Sequence, residues 1–309
     1  MQQTEYADRV AANGAEAVAK EFGLHRIGAR PKLGQYLKSL WARRQFLWSL
    51  STAKAYAQNR DNHLGQLWSV LNPLLWAAVY GLIFGLIMGG RQNMTATEYI
   101  PFLVVGIFVF RYMGSCMTTG AKAIQGNISL VRSLHFPRAI MPISVALSEL
   151  IILLPGLAVM GVIIIACGQG PGWSWLLFPA VVLLFWMFGM GLALIMARLV
   201  VQVRDLANLL QFINRLLFYT SGVIFPIDRF AERFQELGIE WVQIVGLYQP
   251  FAVYLTLART SLTDYQVLDK LGEPVSMAPY WGFGVGYSLL FLIVGFIFFW
   301  RAEERYGRD

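Results

Sequence analysis

The chain has 309 residues, of which 57% are hydrophobic and 14% are charged, and it carries a net charge of +7. With a mean hydropathy of +0.53, it has too few polar side chains to coat a soluble globule, which excludes soluble enzymes and soluble binding domains. The basic residues are scattered over several short segments instead of forming one patch, so the charge does not indicate nucleic-acid binding. The composition predicts an all-α polytopic membrane protein.

The residues before the first apolar segment divide into two parts. Residues 1–32 are polar and show no basic region followed by an apolar run, so we expect a cytoplasmic tail and no cleaved signal peptide. Residues 33–66 place Leu33, Leu37 and Leu40 at near-helical spacing among basic residues, which predicts an amphipathic helix and an elbow at the anionic inner leaflet. Such a helix can be a plain membrane anchor or a docking surface for another protein, and the sequence leaves both open.

Six apolar segments follow, each close to the length needed to cross a hydrocarbon core. They cover residues 68–88, 100–121, 139–166, 174–197, 206–226 and 280–300, within a transmembrane domain of residues 67–309. An even number of spans puts both termini on one side, and that side holds 18 of the 25 Lys and Arg residues, against five on the other. Since basic loops stay inside, we predict a multi-pass protein of the bacterial plasma (inner) membrane with both termini cytoplasmic.

Three ionisable side chains fall about halfway along predicted spans. Arg111 lies in the second span, Glu149 in the third and Arg215 in the fifth. An isolated charge at that depth is costly, so we expect Glu149 to pair with Arg111 or Arg215 inside the bundle. Such a pair can be a structural tie or can take a direct part in transport.

Helical spacing also organises the first predicted span. Trp76, Tyr80 and Phe84 recur every four residues and therefore lie along one side of a helix. The neighbouring line consists of small residues, which allow another helix to approach closely: Ala77, Gly81, Gly85 and Gly89. The aromatic line can face lipid, or it can pack against the apolar faces of sugar rings in a chain that slides past.

Sequence motifs for catalysis and for metal binding are missing. The chain has no G-x-x-x-x-G-K-[ST] loop for ATP and no H-x-x-x-H pair, and Cys116 and Cys167 are too far apart in sequence for a zinc-ligand spacing. We therefore predict that this chain is not an enzyme and holds no metal or cofactor of its own. The glycines of "GFGVG", residues 282–286, lie within a predicted span and indicate close helix packing.

Three segments occur in an order that points to one transporter family. They are "RDNHLGQLWSVLNPLLWAAVYGLIFGLI" at the first span, "GNISLVRSLHFPRAIMPIS" after the second and "VRDLANLLQFINRLLFYTSGVIFPID" through the fifth. Together they resemble the type-two ABC exporter permeases of the polysaccharide class, and the resemblance runs from about Tyr36 to Arg305. Permeases of this class export O-antigen, capsule, teichoic acid or cell-wall galactan precursors.

The resemblance implies a homodimer of six-span subunits above a separate cytoplasmic P-loop ATPase dimer, which binds the ATP and Mg. It also implies short re-entrant helices between the fifth and sixth spans, in an outer gate region of residues 226–279. The cytoplasmic segment 122–138 then docks on the ATPase, and Arg132, His135 and Phe136 are expected to be exposed there. The docking residues implied are Asn127, Leu130, Arg132, His135 and Phe136.

The expected cargo is a glycan linked to a polyprenyl diphosphate, which enters from the inner leaflet. Its phosphates would be attracted by cationic side chains at the cytoplasmic rim: Lys122, Arg132, Arg138 and Arg204. The glycan would then pass along six aromatic side chains: Trp76, Tyr80, Phe84, Phe212, Tyr219 and Phe225. An ABC-type exporter of drugs or lipids is the nearest alternative, and a secondary transporter or an intramembrane enzyme acting on glycosyl lipids are the others.

Overall fold

The computed structural model describes residues 32–87, 94–133, 136–227, 246–268 and 273–303. The helices are α1 (Leu33–Ala42), α2 (Arg44–Ala57), α3 (Leu67–Tyr80), α4 (Ala96–Ala121), α5 (Ile128–Ser133), α6 (Ile140–Ala166), α7 (Phe178–Gln202), α8 (Leu206–Thr220), α9 (Pro250–Leu262) and α10 (Ala278–Arg301). A π-helical stretch, Gly81–Ile87, continues α3, and short 3₁₀ turns lie at Gln125–Asn127 and Trp173–Leu177. The predicted tail lies outside the described residues, except for Lys32.

The predicted amphipathic helix forms as two helices, α1 and α2, that are separated at Arg43. Turns then lead to α3, and Gly65 adopts a positive φ of 49° within them. The Gln66 side chain donates hydrogen bonds of 3.1 Å and 2.9 Å to the carbonyl groups of Ala55 and Tyr56. These carbonyl groups lie in the last turn of α2, where no intrahelical N–H is available to them. The predicted elbow is therefore held by one amide side chain.

Five stretches of the described residues are long and apolar enough to cross a membrane: Leu67–Phe84, Ala96–Ala121, Ile140–Ala166, Trp173–Gln202 and Ala278–Arg301. The most apolar window of α4 is 83% buried, whereas those of α3 and α10 are only 22% buried. Helix α4 is thus the centre of the bundle, and its run from Phe102 to Phe110 is apolar all round, as a helix enclosed on every side requires. The prediction of an all-α multi-pass membrane protein is confirmed.

The predicted fifth span is shorter than expected. Helix α8 has 15 residues and ends in a turn in which Gly222 has a φ of 76°. At 1.5 Å per residue the helix is about 22 Å long, less than the roughly 30 Å of a hydrocarbon core. A membrane crossing by this predicted fifth span therefore stays a prediction. The described α8 is an amphipathic helix whose exposed residues include Asn208, Gln211 and Arg215.

Helix α9 lies in the predicted outer gate region and is almost entirely buried. Arg259 of α9 is only 2% exposed, and its guanidinium donates to the carbonyl groups of Phe102, Gly222 and Val223 at 3.0, 2.7 and 2.8 Å. These bonds join α9 to α4 and to the turn that follows α8, where the helical hydrogen bonding stops. Residues 228–245 lie outside the described part of the chain, and the re-entrant arrangement stays a prediction.

The ends of several helices meet around Tyr36 of α1, in a second apolar cluster separate from the main core. The Tyr36 hydroxyl donates to the Glu303 carboxylate at 2.8 Å and accepts from the Ala139 N–H at 3.1 Å. Glu303 also accepts the Arg138 N–H at 2.9 Å, and the Arg138 guanidinium donates to the Glu303 carbonyl at 2.5 Å. The amphipathic arm, the start of α6 and the end of α10 are therefore tied together at this junction.

Candidate transport cavity

A cavity of about 830 Å³ opens between α3, α4 and α8. Each helix contributes residues at helical spacing, so that one face of each helix is turned toward the same space. The lining residues are Asn72, Pro73, Trp76, Tyr80, Ile107, Phe110, Arg111, Gly114, Ser115, Thr118, Gln211, Asn214, Arg215, Phe218 and Tyr219. We refer to this space as the polar cavity.

Aromatic rings form a continuous wall on one side of the polar cavity. The Trp76 and Tyr80 rings are stacked with their centroids 5.7 Å apart, and the Tyr80 and Phe218 rings are 5.4 Å apart. Phe218 also packs against Phe110 at 5.2 Å and against Tyr219 at 5.4 Å. Because the five rings support one another, they offer a fixed apolar surface on which a ring-shaped ligand can pack.

The polar cavity is also rich in hydrogen-bonding groups and carries two positive charges. Arg111 of α4 and Arg215 of α8 both line it. The neutral polar groups are contributed by α3, α4 and α8: Asn72, Ser115, Thr118, Gln211 and Asn214. Asn214 reaches α4 where Gly114 has no side chain, since a Cβ on Gly114 would collide with the Asn214 amide oxygen. Close packing at Gly114 therefore brings the polar face of α8 against α4.

Glu149 of α6 lies behind Arg111, away from the polar cavity. Arg111 and Glu149 line a second, very small cavity together with Ser69 and Tyr112, and the two charges attract each other. Glu149 is only 6% exposed. The structure thus brings Glu149 to Arg111, one of the two predicted partners, and places Arg215 on another helix that lines the polar cavity.

An apolar cavity of about 590 Å³ lies on the other side of α3, toward the predicted outer surface. It is lined almost wholly by hydrocarbon, including Leu74, Phe84 and Leu103. Phe84 packs edge-on against Phe225, with their centroids 5.1 Å apart, and stacks on Tyr80 at 6.2 Å. The two cavities therefore differ in chemistry: the polar cavity offers ring faces together with hydrogen-bonding groups, whereas the apolar cavity offers almost only hydrocarbon.

The six predicted lining residues are divided by this geometry. Trp76, Tyr80 and Tyr219 line the polar cavity, whereas Phe84 lines the apolar cavity and connects the two by stacking on Tyr80 and packing against Phe225. Phe212 does not line it and is 64% exposed on α8. The reason is angular: Phe212 follows Gln211 by one residue, about 100° further round the helix, so the two side chains leave the helix in different directions.

The lining residues that were not predicted from the sequence include Phe110, Gln211, Asn214 and Phe218. Two signals were present: Gln211, Arg215 and Tyr219 follow one another every four residues, and Phe218 adjoins Tyr219. Polar residues at helical spacing within a predicted span indicate a face turned away from lipid. That face of α8 is the one that lines the polar cavity.

Comparison with known proteins identifies the family. The model of the ABC-2 type transporter family matches residues 45–260, which is more than half of the chain. The chain belongs to this family. The O-antigen export system permease protein RfbA of Myxococcus xanthus is 33% identical over 192 residues, covering 62% of this chain and 72% of that protein. A protein of the same name from Klebsiella pneumoniae is 29% identical over 176 residues, covering 57% of this chain and 66% of the relative.

Membership of the ABC-2 type transporter family explains several features together. The matched range includes α3, α4, α6, α7 and α8, and hence every residue that lines the polar cavity. ABC transporters couple transport to an ATPase subunit, and no ATP-binding loop occurs in this sequence. The predicted identity as a type-two ABC permease is therefore confirmed, and an ATPase subunit is implied as its partner.

The cytoplasmic residues predicted for this ABC-2 chain have different environments. Lys122 and Arg204 are exposed, whereas Arg138 is bound to Glu303 and is only partly accessible to a phosphate. Burial raises the pKa of the Glu303 carboxyl group, and the hydrogen bonds from Arg138 and Tyr36 oppose that shift.

The predicted docking residues are only partly accessible. The Phe136 ring is half-buried and packs against Phe46 of α2 at 5.5 Å, because the amphipathic arm folds over this segment. Leu130 packs on the same cluster, and the Asn127 amide donates to the Ala123 carbonyl at 2.9 Å. The side chains of Arg132 and His135 lie outside the described part of the structure.

Lys54 couples the amphipathic arm to α6 in a way that depends on pH. Its ammonium donates to the Ser144 hydroxyl at 2.8 Å, and burial lowers the pKa of Lys54 from 10.5 to about 8. Below pH 8 the charged form is held in a site that disfavours it. Between pH 8 and 10.5 the unfolded chain binds more protons than the folded chain, so Lys54 makes stability rise with pH in this window.

We expect Lys54→Met to remove the increase in folding stability that Lys54 causes between pH 8 and 10.5. Thermal unfolding of the purified protein at pH 7.5 and 9.5 should show a smaller gain at the higher pH in the variant than in the wild type. Lys38→Met, which changes an exposed lysine of α1, should keep the wild-type gain. Equal gains in the wild type and in Lys54→Met would contradict the expectation.

Proposed function

We propose that this chain is the membrane subunit of an ATP-driven exporter that moves a polyprenyl-diphosphate-linked polysaccharide from the cytoplasmic side across the plasma (inner) membrane. The observation that carries the proposal is the polar cavity, which combines a wall of aromatic rings with amide, hydroxyl and guanidinium groups inside a membrane domain. Such a combination suits a sugar chain, since the ring faces pack on aromatic side chains while the hydroxyls need hydrogen bonds. The relatives named as O-antigen export permeases support the same cargo class.

We further propose that two copies of the chain form the transport path. Trp76 and Tyr219 are 56% and 51% exposed, and Arg215 is exposed beside them. A guanidinium facing hydrocarbon would be costly, so this surface must meet protein or water. A second copy that presents the same surface would close the two open cavities into one covered passage.

In this proposal the ATPase is a separate P-loop dimer that holds ATP and Mg and contacts residues 122–138. The junction around Tyr36 and Glu303 would carry the movement, because it links that segment to the amphipathic arm and to the end of α10. Lys122 and Arg204 are accessible for attracting phosphates at the inner rim, with the termini on the cytoplasmic side. The organisation is then a tail of residues 1–32, an interface arm of residues 33–66 and a six-span domain of residues 67–309.

The test is to purify the tagged chain from its own cell in a mild detergent, identify the co-purifying proteins and assay ATP hydrolysis. We expect a stoichiometric P-loop ATPase, and ATP-dependent movement of lipid-linked glycans by the complex in proteoliposomes. Transport of a drug or of a phospholipid without any glycan would favour the alternative exporter. A chain that purifies alone and without ATPase activity would overturn the proposal.

The aromatic wall is tested in the same assay by Tyr80→Ala together with Phe84→Ala. We expect glycan export to fall by about tenfold or more, because two stacked ring contacts are lost, while the bound ATPase is retained. Phe212→Ala is the matched control, since Phe212 is aromatic, exposed and outside the lining of the polar cavity. Normal export by the double variant would remove the aromatic wall from the path.

A further inference from the structure

Two arginines face one space inside the membrane domain, and the fold leaves them available. Arg111 and Arg215 both line the polar cavity. In the described part of the chain neither guanidinium donates a hydrogen bond, although each carries five N–H donors. Arg111 is half-buried, and arginines in such places are normally hydrogen-bonded, as the buried Arg259 is through three carbonyl groups, whereas Arg215 is exposed on the open side of the cavity. Donors left open in a cavity point to a ligand that is an acceptor.

The charge around this cavity also favours an anion. Glu149 is placed behind Arg111 and attracts it from the far side, which steadies that guanidinium and leaves Arg215 without a carboxylate in the described residues. The Arg111–Glu149 pair is formally neutral and Arg215 is positive, so the site has an excess of one positive charge. In a region of low dielectric, such an excess attracts an anion strongly.

The depth of the two arginines is similar. Arg111 lies ten residues before the end of α4 at Ala121, and Arg215 lies nine residues after the start of α8 at Leu206. At 1.5 Å per residue, each is about 14–15 Å from the predicted cytoplasmic end of its helix. In the predicted topology both therefore lie near the middle of a hydrocarbon core about 30 Å thick.

We propose that Arg111 and Arg215 form an anion site for the diphosphate group of the cargo at mid-membrane depth, with Glu149 as a positioning residue for Arg111. This inference rests on the proposed function, which supplies a lipid-linked diphosphate. A diphosphate crossing the membrane loses its hydration where the cost is greatest, and guanidinium groups offer paired donors that match phosphate oxygens. Two guanidiniums from different helices can each take one phosphate, while the aromatic wall beside them holds the first sugar.

The position of this site distinguishes it from the exposed cations at the inner rim. Lys122 and Arg204 are accessible to water and can attract a phosphate before entry, but they lie at the ends of helices. In the predicted topology Arg111 and Arg215 lie deeper, near the middle of the bilayer, where a diphosphate that is not bound to the protein has no other polar partner. The anion site would thus lower the barrier in the middle of the path.

The experiment measures binding of farnesyl diphosphate to the purified complex of this chain with its ATPase, without nucleotide, in phosphatidylcholine nanodiscs. The wild-type complex should bind this short prenyl diphosphate saturably and should bind farnesol, which has no phosphate, much more weakly. Arg215→Gln should weaken binding by about tenfold or more, which is the loss expected for charge-assisted hydrogen bonds. Arg215→Lys, which keeps the charge but not the paired donors, should lose less.

Arg111 is tested as Arg111→Gln combined with Glu149→Gln, so that no carboxylate is left buried without its partner. This double variant should also weaken diphosphate binding by about tenfold or more, with farnesol binding unchanged. Arg301→Gln, which changes an exposed arginine at the end of α10, is the control and should bind as the wild type does. Addition of phosphatidylglycerol to the nanodiscs tests whether a phospholipid headgroup competes for the site.

The outcomes separate the anion site from the proposed function. The proposed anion site is wrong if the wild type binds no farnesyl diphosphate, if the cavity variants bind it normally, or if Arg301→Gln weakens binding as much as they do. If phosphatidylglycerol binds the site as strongly as farnesyl diphosphate does, the site is assigned to phospholipid headgroups and the proposal is overturned. If any of these results is found together with normal glycan export, only the anion site is wrong and the proposed function is kept. If the diphosphate binds as expected but no glycan is exported, the anion site is kept and the proposed function is wrong.

Discussion

Replacement of Arg259 by Met is expected to lower the free energy of unfolding by about 3–5 kcal/mol. The side chain is 2% exposed, donates to three carbonyl groups and lies over the Phe102 ring at 3.4 Å from its centroid. Met has a similar length and no donor, so it would leave these buried carbonyls without the guanidinium. The apparent melting temperature in detergent should fall by roughly 10 °C.

The effect comes from the place at which α8 ends. Gly222 and Val223 lie in the turn after α8, where their carbonyl groups have no helical partners, and Arg259 supplies the donors from α9. Arg259→Lys should recover little of the stability, because one ammonium cannot reach three carbonyl groups as the planar fork does. Arg301→Met changes an exposed arginine and should leave the melting temperature near that of the wild type.

Gly106→Ala tests the same contact from the side of α4. A Cβ on Gly106 would collide with the Arg259 guanidinium and would come within 3.0 Å of the Val223 carbonyl oxygen. The added methyl group must therefore displace the guanidinium from its acceptors, and the melting temperature should fall in the same direction as in Arg259→Met. If Arg259→Met and Gly106→Ala both melt within about 2 °C of the wild type, the contact does not stabilise the outer end of the bundle.

Gly191→Ala is expected to be the most damaging glycine substitution in the bundle. Helices α7 and α10 cross at this residue, and a Cβ there would collide with the Phe291 carbonyl and approach the Leu292 nitrogen to 2.6 Å. The obstacle is backbone, which cannot turn aside as a side chain can, so the helices must move apart. We expect a loss of about 3 kcal/mol or more and poor recovery of folded protein on size-exclusion chromatography.

Gly286→Ala in α10 is the matched control. Nothing lies within 4 Å of a Cβ on Gly286, and Ala has the better helix propensity, so stability should be unchanged or slightly higher. Gly295 should behave as Gly191 does, because its Cβ would meet the Gly191 backbone from the opposite helix. Recovery of Gly191→Ala equal to that of Gly286→Ala would show that the two helices can separate without cost.

Glycine spacing correctly predicted that helices pack closely, but it identified only some of the positions at which they do so. The "GFGVG" segment packs tightly at Gly284, where a Cβ would meet Leu257 at 2.9 Å, whereas Gly282 and Gly286 face open space. On the first span a Cβ on Gly81 would make only an ordinary contact, at 3.8 Å, and Gly89 of the predicted small line lies outside the described residues. The tightest helix pair is α7 with α10, and their glycines lie about a hundred residues apart in the sequence. Spacing shows which side of a helix is small, but it does not identify the helix that will occupy that side.

The polar cavity shows the same division. The spacing of Trp76 and Tyr80 was enough to place them on one side of α3, and the charges of Arg111 and Arg215 were enough to mark them as functional candidates. That all four line one space depends on how α3, α4 and α8 pack, as does the inclusion of Phe110 and Phe218. Phe212 was predicted to line the path and does not line the polar cavity. Being aromatic and close in sequence to other lining residues does not bring a side chain to their face of the helix.

By itself the sequence determined the membrane location, the positions of five long apolar helices, the amphipathic arm and the family. These properties depend on composition, apolar length and short-range periodicity, which are local to each segment. Only the tertiary structure decided that α8 stops after 15 residues, that Arg259 supplies donors to its end, and that Glu149 stands behind Arg111. Each of these depends on contacts between residues far apart in the chain, and packing, unlike periodicity, is a property of the whole bundle.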